Sequence, residues 1–167
     1  MNTTILSLTV QSALGWTNPN NSLASDNAYA TFTDTGSPGN NSYFRFNTNA
    51  SSVLPAGITI LGVVAQVEYR ASNTSTQPRI SAGPGYFGGP MTNDVFVTTA
   101  DAFYAFGSTT NPLEAVTVSD LAVAAVRFGK EVTGTVTYYL DFVRITVYWD
   151  YSSNLNGGSV LFFGENF

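Results

Sequence analysis

The run Leu54–Arg70 (Leu-Pro-Ala-Gly-Ile-Thr-Ile-Leu-Gly-Val-Val-Ala-Gln-Val-Glu-Tyr-Arg) restricts the fold of this chain more than any other stretch. Leu-Pro-Ala-Gly turns the backbone, and the β-branched residues that follow favour extended structure. In its second half Val63, Ala65, Val67 and Tyr69 alternate with Gln66, Glu68 and Arg70. A period of two puts the first set on one face of a strand and the second on the other, one dry and one wet. Leu140–Trp149 reads the same way, with Val143, Ile145, Val147 and Trp149 alternating with Arg144, Thr146, Tyr148 and then Asp150, and is the expected partner. Its apolar parity slips between Leu140 and Val143, which predicts a bulge at Asp141 or Phe142. Two long half-buried strands this far apart in sequence predict an all-β fold. The expected form is an antiparallel β-sandwich of about eight strands, jelly-roll or immunoglobulin-like.

Shorter segments fill in the sheets. Residues 1–15 read as an edge strand or a leading arm, and Trp16–Ala30 as a loop of turn-forming Asn, Asp and Ser anchored by one large aromatic. Tyr29–Thr33, Tyr43–Asn47, Arg79–Ser81, Asp94–Thr99, Phe103–Phe106 and Val126–Phe128 read as short strands. Ser119-Asp120 has the chemistry to cap a single helical turn.

Composition excludes several functions. The 167 residues suit one domain, and 44% hydrophobic against 10% charged residues marks a folded chain with few surface ions. Asn, Ser, Thr and Gly occupy the polar positions, as turn-rich β-proteins require. A net charge of −5 with six basic residues offers no footprint for phosphate backbones, so nucleic acid is not an expected partner. With no cysteine and no histidine, disulfides, thiol nucleophiles, imidazole catalysis and the usual zinc sites are excluded. No cofactor is expected. Met1–Val10 lacks a basic start and a sustained apolar run, so it does not read as a signal peptide. No run reaches the ~20 apolar residues of a membrane helix, and no membrane partner is expected.

Two strings resemble catalytic motifs. Asp34-Thr35-Gly36-Ser37 spells the aspartic-protease tetrapeptide, but no second copy supplies the facing carboxylate, and Pro38-Gly39-Asn40-Asn41 follows where a strand should. It reads as a surface turn, in which Asn at position 34 would make the same local hydrogen bonds. Gly83-Pro84-Gly85-Tyr86-Phe87-Gly88 spells a dinucleotide fingerprint, yet Gly89-Pro90 forbids the helix that must follow. What remains is a loop presenting Tyr86 and Phe87, either to a glycan or protein or into the end of the sandwich. A glycosidase needs two carboxylates facing each other at ~5–10 Å. Acids are scattered singly here, and Glu68 and Asp150 are simply those on wet strand faces. Asp26, Asn27, Asp34 and Asn41 offer oxygen ligands of the kind calcium takes, without EF-hand spacing, and turn chemistry accounts for them equally.

Beyond a body spanning residues 1–151, residues 152–167 change character. A Ser/Asn/Gly linker leads to Val160, Leu161, Phe162, Phe163 and Phe167. Such a segment is either a last strand on its own domain or an arm that docks on a neighbour. The arm is the reading adopted, with a homo-oligomer, a trimer, as the expected state.

An ordered series of local sequences carries a family resemblance: Trp16-Thr17-Asn18-Pro19, Ser25-Asp26-Asn27-Ala28-Tyr29-Ala30, Leu54–Gly62, Phe128-Gly129 and Asp141–Trp149. It resembles all-β structural proteins of tailed bacteriophages and covers roughly residues 16–149. The resemblance implies a virion component rather than an enzyme and transfers no catalytic residue. Within it, the expected function is a capsid decoration (cement) protein. Such a protein binds the major capsid protein on the head exterior and ties capsomers together, with Val160, Leu161, Phe162, Phe163 and Phe167 in the contact. The alternative is a tail-fibre or receptor-binding module gripping a host glycan through Tyr86 and Phe87. A secreted carbohydrate-active enzyme or its binding module is the rival from another class.

Overall fold

The alternation in Leu54–Arg70 becomes a strand of 14 residues, Ile58–Ala71, in which Val63, Ala65, Val67 and Tyr69 are buried and Val64, Gln66, Glu68 and Arg70 face outward, half-buried. The computed structural model describes residues 1–39, 42–84, 94–110 and 116–152. Among them the strands are β1 (Asn2–Leu6), β2 (Leu8–Ser12), β3 (Ala30–Asp34), β4 (Ser42–Thr48), β5 (Ile58–Ala71), β6 (Pro78–Pro84), β7 (Val95–Phe96), β8 (Ala102–Ser108), β9 (Val123–Lys130) and β10 (Val136–Tyr151). Helix is limited to single turns at Pro19–Ser22, Ala50–Val53 and Asp120–Ala122. No helix among the described residues is long and apolar enough to cross a membrane.

The strands form two antiparallel sheets. In the first, β8, β5 and β10 lie side by side, and β1 and β3 share the far edge of β10. The second runs β2-β4-β9-β6-β7. Nearly every connection crosses from one sheet to the other, which is the wrapping of a jelly roll rather than the hairpins of an immunoglobulin domain. Ten strands replace the expected eight because the first strand splits at Ser7, sending β1 to one sheet and β2 to the other, and because β7 is only two residues long. Asn49 pins the split. Its Oδ1 accepts the Ser7 N–H at 2.8 Å, and its own N–H donates to the Ser7 carbonyl at 3.3 Å.

β5 and β10 pair from Ile58↔Tyr151 to Ala71↔Tyr138, as their matched alternation predicts. The register slips between Leu140 and Phe142, so Asp141 is the extra residue of the predicted bulge. The bulge turns Asp141 inward, 1% exposed, and returns Phe142 to the outer face and Val143 to the core. A second irregularity, unannounced by the sequence, leaves Leu61 unpaired between Gly62↔Tyr148 and Ile60↔Trp149. β6 is longer than expected: Gly83 and Pro84, assigned to a loop by composition, pair with Ala125 and Ala124. At the turn Asp120–Ala122, Ser119 makes no capping bond. Asp120 Oδ2 instead accepts the Thr117 N–H at 2.7 Å.

Rings from both sheets meet in the core. Trp16 enters from the loop before β3 and packs against Phe32 of β3, Phe44 of β4 and Phe128 of β9 at centroid distances of 5.5, 5.0 and 4.8 Å. Phe128 continues to Tyr69 of β5 at 5.4 Å and Tyr138 of β10 at 5.7 Å. Such pairs add ~0.5–1.5 kcal/mol each beyond area burial, so this cluster is the main clamp between the layers. The Tyr138 hydroxyl donates to the Gly129 carbonyl at 2.8 Å, tying the second sheet to the first by a polar bond as well.

One charged pair closes an end of the sandwich. Lys130 is fully buried; its Nζ donates to the carbonyls of Asp34 at 3.0 Å and Gly134 at 2.6 Å and lies 3.2 Å from Asp34 Oδ1. The Asp34–Ser37 string does form a turn, with Asp34 Oδ1 accepting the Gly36 N–H at 2.7 Å. The same carboxylate neutralises a buried cation, however, so the expectation that Asn would serve equally at position 34 is corrected. Asp34→Asn should lower unfolding free energy by about 3 kcal/mol in urea titration, because a buried charge loses its partner. Val67→Asp, at 0% exposure in the middle of β5, should prevent folding altogether, read as loss of the β-sheet circular dichroism signal.

Candidate functional site

Tyr86, Phe87, Val160, Leu161, Phe162, Phe163 and Phe167 all lie outside the described residues. The described surface offers a different candidate, the outer face of the first sheet. Because β8, β5 and β10 pair in fixed register, their outward residues line up in rows across three strands. Phe103, Glu68 and Phe142 form one row, and Ala105, Gln66 and Arg144 the next. Beyond them come Gly107, Val64 and Thr146. Phe103 is 61% exposed, an unusual state for a phenyl ring on a strand facing away from the core.

One end of this face is rigid. The Arg70 guanidinium sits 3.9 Å from the Tyr139 ring centroid and 4.8 Å from that of Tyr29, and its Nε pairs with Asp101 Oδ1 at 3.2 Å. Tyr29 donates its hydroxyl to Asp101 Oδ2 at 2.9 Å and meets Tyr139 edge-to-face at 5.8 Å. Desolvation raises the Tyr29 phenol above its usual range, and its bond to Asp101 adds to the rise. Four side chains from β5, β10 and two loops thus hold one another in place.

The centre is polar and braced. Gln66 Oε1 accepts from Arg144 Nε at 2.8 Å and from Arg144 Nη2, and the guanidinium lies 5.9 Å from the Phe142 ring. Glu68 Oε2 accepts from Ser25 Oγ at 2.5 Å. Beneath, Asp141 Oδ2 accepts the Asn27 N–H at 3.1 Å, with Asn27 left-handed at φ 62°, so the bulge clamps the loop that carries Ser25 and Tyr29. Planar amide, carboxylate and guanidinium groups therefore lie in fixed orientation between two half-open phenyl rings.

Carboxylate chemistry finds little here. Asp150 pairs with Thr59 in the sheet and with the Met1 ammonium at 3.1 Å. Glu68 is nine residues up the same strand from Thr59, ~30 Å at ~3.3 Å per residue, so these two acids cannot flank one bond. Asp141 is too buried to meet a substrate. The four oxygen donors considered for calcium also do not converge. Asp26 Oδ1 accepts the Ala28 N–H at 2.9 Å, Asn27 Oδ1 accepts from the Tyr29 hydroxyl at 3.5 Å, Asp34 serves Lys130, and Asn41 is outside the described residues. Among the described residues no group of three acidic side chains is placed to hold a metal.

The outer face of the second sheet is charged and self-paired. Arg127 pairs with Asp94, and Arg79 reaches Asp94 at 3.7 Å and Glu131 at 2.5 Å. Burial pushes the Asp94 carboxyl up, but the hydrogen bond and charge of Arg127 and the charge of Arg79 outweigh it and hold it below its usual range. Sequence reading found Gln66, Glu68, Arg70 and Arg144 on wet faces but missed their aromatic neighbours. The signal was present: Phe103 and Phe142 fall on the wet parity of their strands, where an aromatic ring has no core to fill.

No protein-family model matches the chain, and no curated protein matches it. Solved structures it resembles include a carbohydrate-binding module described as "CBM4 structure and function", 14% identical, covering 86% of this chain and 92% of that one at a TM-score of 0.39. A family two carbohydrate esterase from Cellvibrio japonicus is 17% identical over 87% of this chain and 33% of that one at 0.36. A protein crystallised with a xylogluco-oligosaccharide is 16% identical over 84% of this chain and 34% of that one at 0.40. At these scores the likenesses transfer neither a site nor a function.

Asp141 gives the loop clamp a pH signature. Burial raises its carboxyl; the Asn27 and Asp26 amides oppose the rise, and the charges of Glu68 and Asp26 add to it. With the folded value above the unfolded one, the native state binds more protons as pH falls, so this group adds stability on acidification. In Asp141→Asn that increment disappears. From pH 7 down to about pH 4, the native chain should therefore gain stability relative to the variant in parallel urea titrations.

Proposed function

We propose that this chain is a non-catalytic recognition module that holds a glycan across the outer face of its first sheet. The supporting observation is the row Phe103–Glu68–Phe142, with Gln66 and Arg144 directly beside it. A sugar ring offers an apolar C–H face and a rim of hydroxyls. An exposed phenyl ring suits the first, and planar amide, carboxylate and guanidinium groups, each able to make paired hydrogen bonds, suit the second. The polar groups are already braced by Ser25 and by one another, so little ordering is lost on binding. The charges on this face are matched, Arg70 with Asp101 and Arg144 beside Glu68, which favours a neutral saccharide over a polyanion.

Together with the bacteriophage resemblance, this supports a receptor-binding or tail module that grips a host surface glycan, with Phe103 and Phe142 in the role first given to Tyr86 and Phe87. The decoration reading, with the major capsid protein as partner and the head exterior as location, rests on that resemblance and on the apolar residues 160–167.

Affinity electrophoresis against a panel of purified neutral bacterial surface polysaccharides tests the proposal. At least one should retard the protein. The double variant Phe103→Ala/Phe142→Ala should weaken that binding tenfold or more while the melting temperature moves only a few degrees, since Phe103 is exposed. Equal binding by the variant would overturn the proposal. So would no retardation by any polysaccharide, combined with binding at high copy number to phage heads.

A further inference from the structure

The outer face of the first sheet is interrupted at the far edge of β10. There β10 pairs with β3 through residues 136–140 and with β1 through residues 145–149, and Leu23 forms a single bridge to Phe142 between them. Among the described residues no strand lies opposite Val143 and Arg144 on that side. β1 has ended at Leu6, and the chain crosses at Ser7 to the second sheet, which leaves a hollow of about 170 Å³. The row Ala105–Gln66–Arg144 runs into it.

The lining has two parts. Leu6 and Val143, both buried, give it an apolar floor, and Ile5, Leu8, Leu23 and the Phe142 ring complete the apolar wall. Ile5 continues the row of Gly107, Val64 and Thr146 onto β1 and is 59% exposed, so the mouth opens on the outer face. The polar part is Ser7 and Arg144. Asn49 engages both backbone groups of Ser7, which leaves the hydroxyl, and Arg144 carries more N–H groups than the Nε and Nη2 donors that Gln66 accepts.

The geometry points to this hollow as the seat of an acetyl group on the glycan held across Phe103, Glu68 and Phe142, an inference that rests on the glycan reading of that face. Size, wall and donors select the group together. There is room for more than a methyl branch, since an apolar cavity of ~150 Å³ is enough for benzene. Hydrocarbon walls suit a methyl and disfavour a sugar hydroxyl, which would lose its water without gaining a partner. The donors of Arg144 and Ser7 suit a carbonyl oxygen, which the C6 methyl of a deoxy sugar does not have. An acetyl group brings both the methyl and the carbonyl, and it adds no charge to a face whose charges are already matched. The acetylated sugar then sits at the β10 end of the row, and the rest of the glycan extends toward Phe103 on β8.

Matched polysaccharides test this. Every polysaccharide that retards the protein in affinity electrophoresis is run again after its acetyl groups are changed. Mild alkali strips acetyl esters and leaves acetamides. Hydrazinolysis followed by N-formylation converts acetamides to an amide that keeps the carbonyl and lacks the methyl. One of the two treatments, according to whether the acetyl is on oxygen or nitrogen, should weaken binding tenfold or more, and re-acetylation should restore it. Two variants at exposed positions locate the effect. Ile5→Asp places a charge at the mouth, and Ser7→Phe fills the space from the wall. With native circular dichroism, each should bind the acetylated and stripped forms alike, and where one fails to fold the other decides. A retained polysaccharide that carries no acetyl group, or that binds equally well after both treatments, would overturn the inference and leave the glycan reading standing. So would a folded variant that keeps the tenfold preference, because the acetyl group would then be read elsewhere. If no polysaccharide is retained at all, the glycan reading itself fails and the inference fails with it.

Discussion

The pairing of β5 with β10 determines where nearly everything else in the molecule can be. It fixes which side chains enter the space between the sheets, where Tyr69 and Tyr138 meet Phe128 and Trp16. It equally fixes which side chains are left outside, and the rows built on Glu68, Gln66 and Arg70 are the outward complement of the buried Val67, Ala65 and Tyr69. A slip of one residue would exchange the two sets. The bulge at Asp141 is where the chain itself makes that exchange, and there the inward carboxylate is used to hold the loop carrying Ser25 and Tyr29.

How distant elements are oriented on that pair follows from having few charges. With only 10% charged residues, the chain uses them in closed groups: Lys130 with Asp34, Arg79 and Arg127 with Asp94 and Glu131, Arg70 with Asp101. Each group joins elements distant in sequence. Lys130 ties the end of β3 to the turn before β10, and Arg70 joins β5 to the segment before β8. These groups lend orientation more than net stability, which comes from the aromatic clamp. The same economy leaves the outer face of the first sheet with fixed planar polar groups and uncovered rings, rather than long mobile lysines.

The fold was legible in the sequence because β5 and β10 each keep one clean parity for many residues, and because the break in that parity at Leu140–Val143 is itself informative. Burial of Phe44 and Phe46 against the outward Tyr43 and Arg45 was readable for the same reason. What could not be read was long-range. The splitting of one N-terminal strand between two sheets depends on Asn49, some forty residues away. The role of Asp34 was hidden because its partner Lys130 is buried by tertiary packing, whereas locally both look like surface residues. The binding face was half visible. Its polar members lie on β5 and β10, where the parity is plain, but the alignment of Phe103 with them depends on the cross-strand register of β8 against β5, a long-range pairing.

Mapping of the bound ligand by backbone amide chemical shifts tests the central claim most directly. On titration with an oligosaccharide drawn from a polysaccharide the protein retains, the largest perturbations should fall on residues 66–70, 103–107 and 139–146, contiguous across β8, β5 and β10. Perturbations concentrated around Arg79, Asp94 and Arg127 on the opposite sheet, or confined to a single loop, would contradict it.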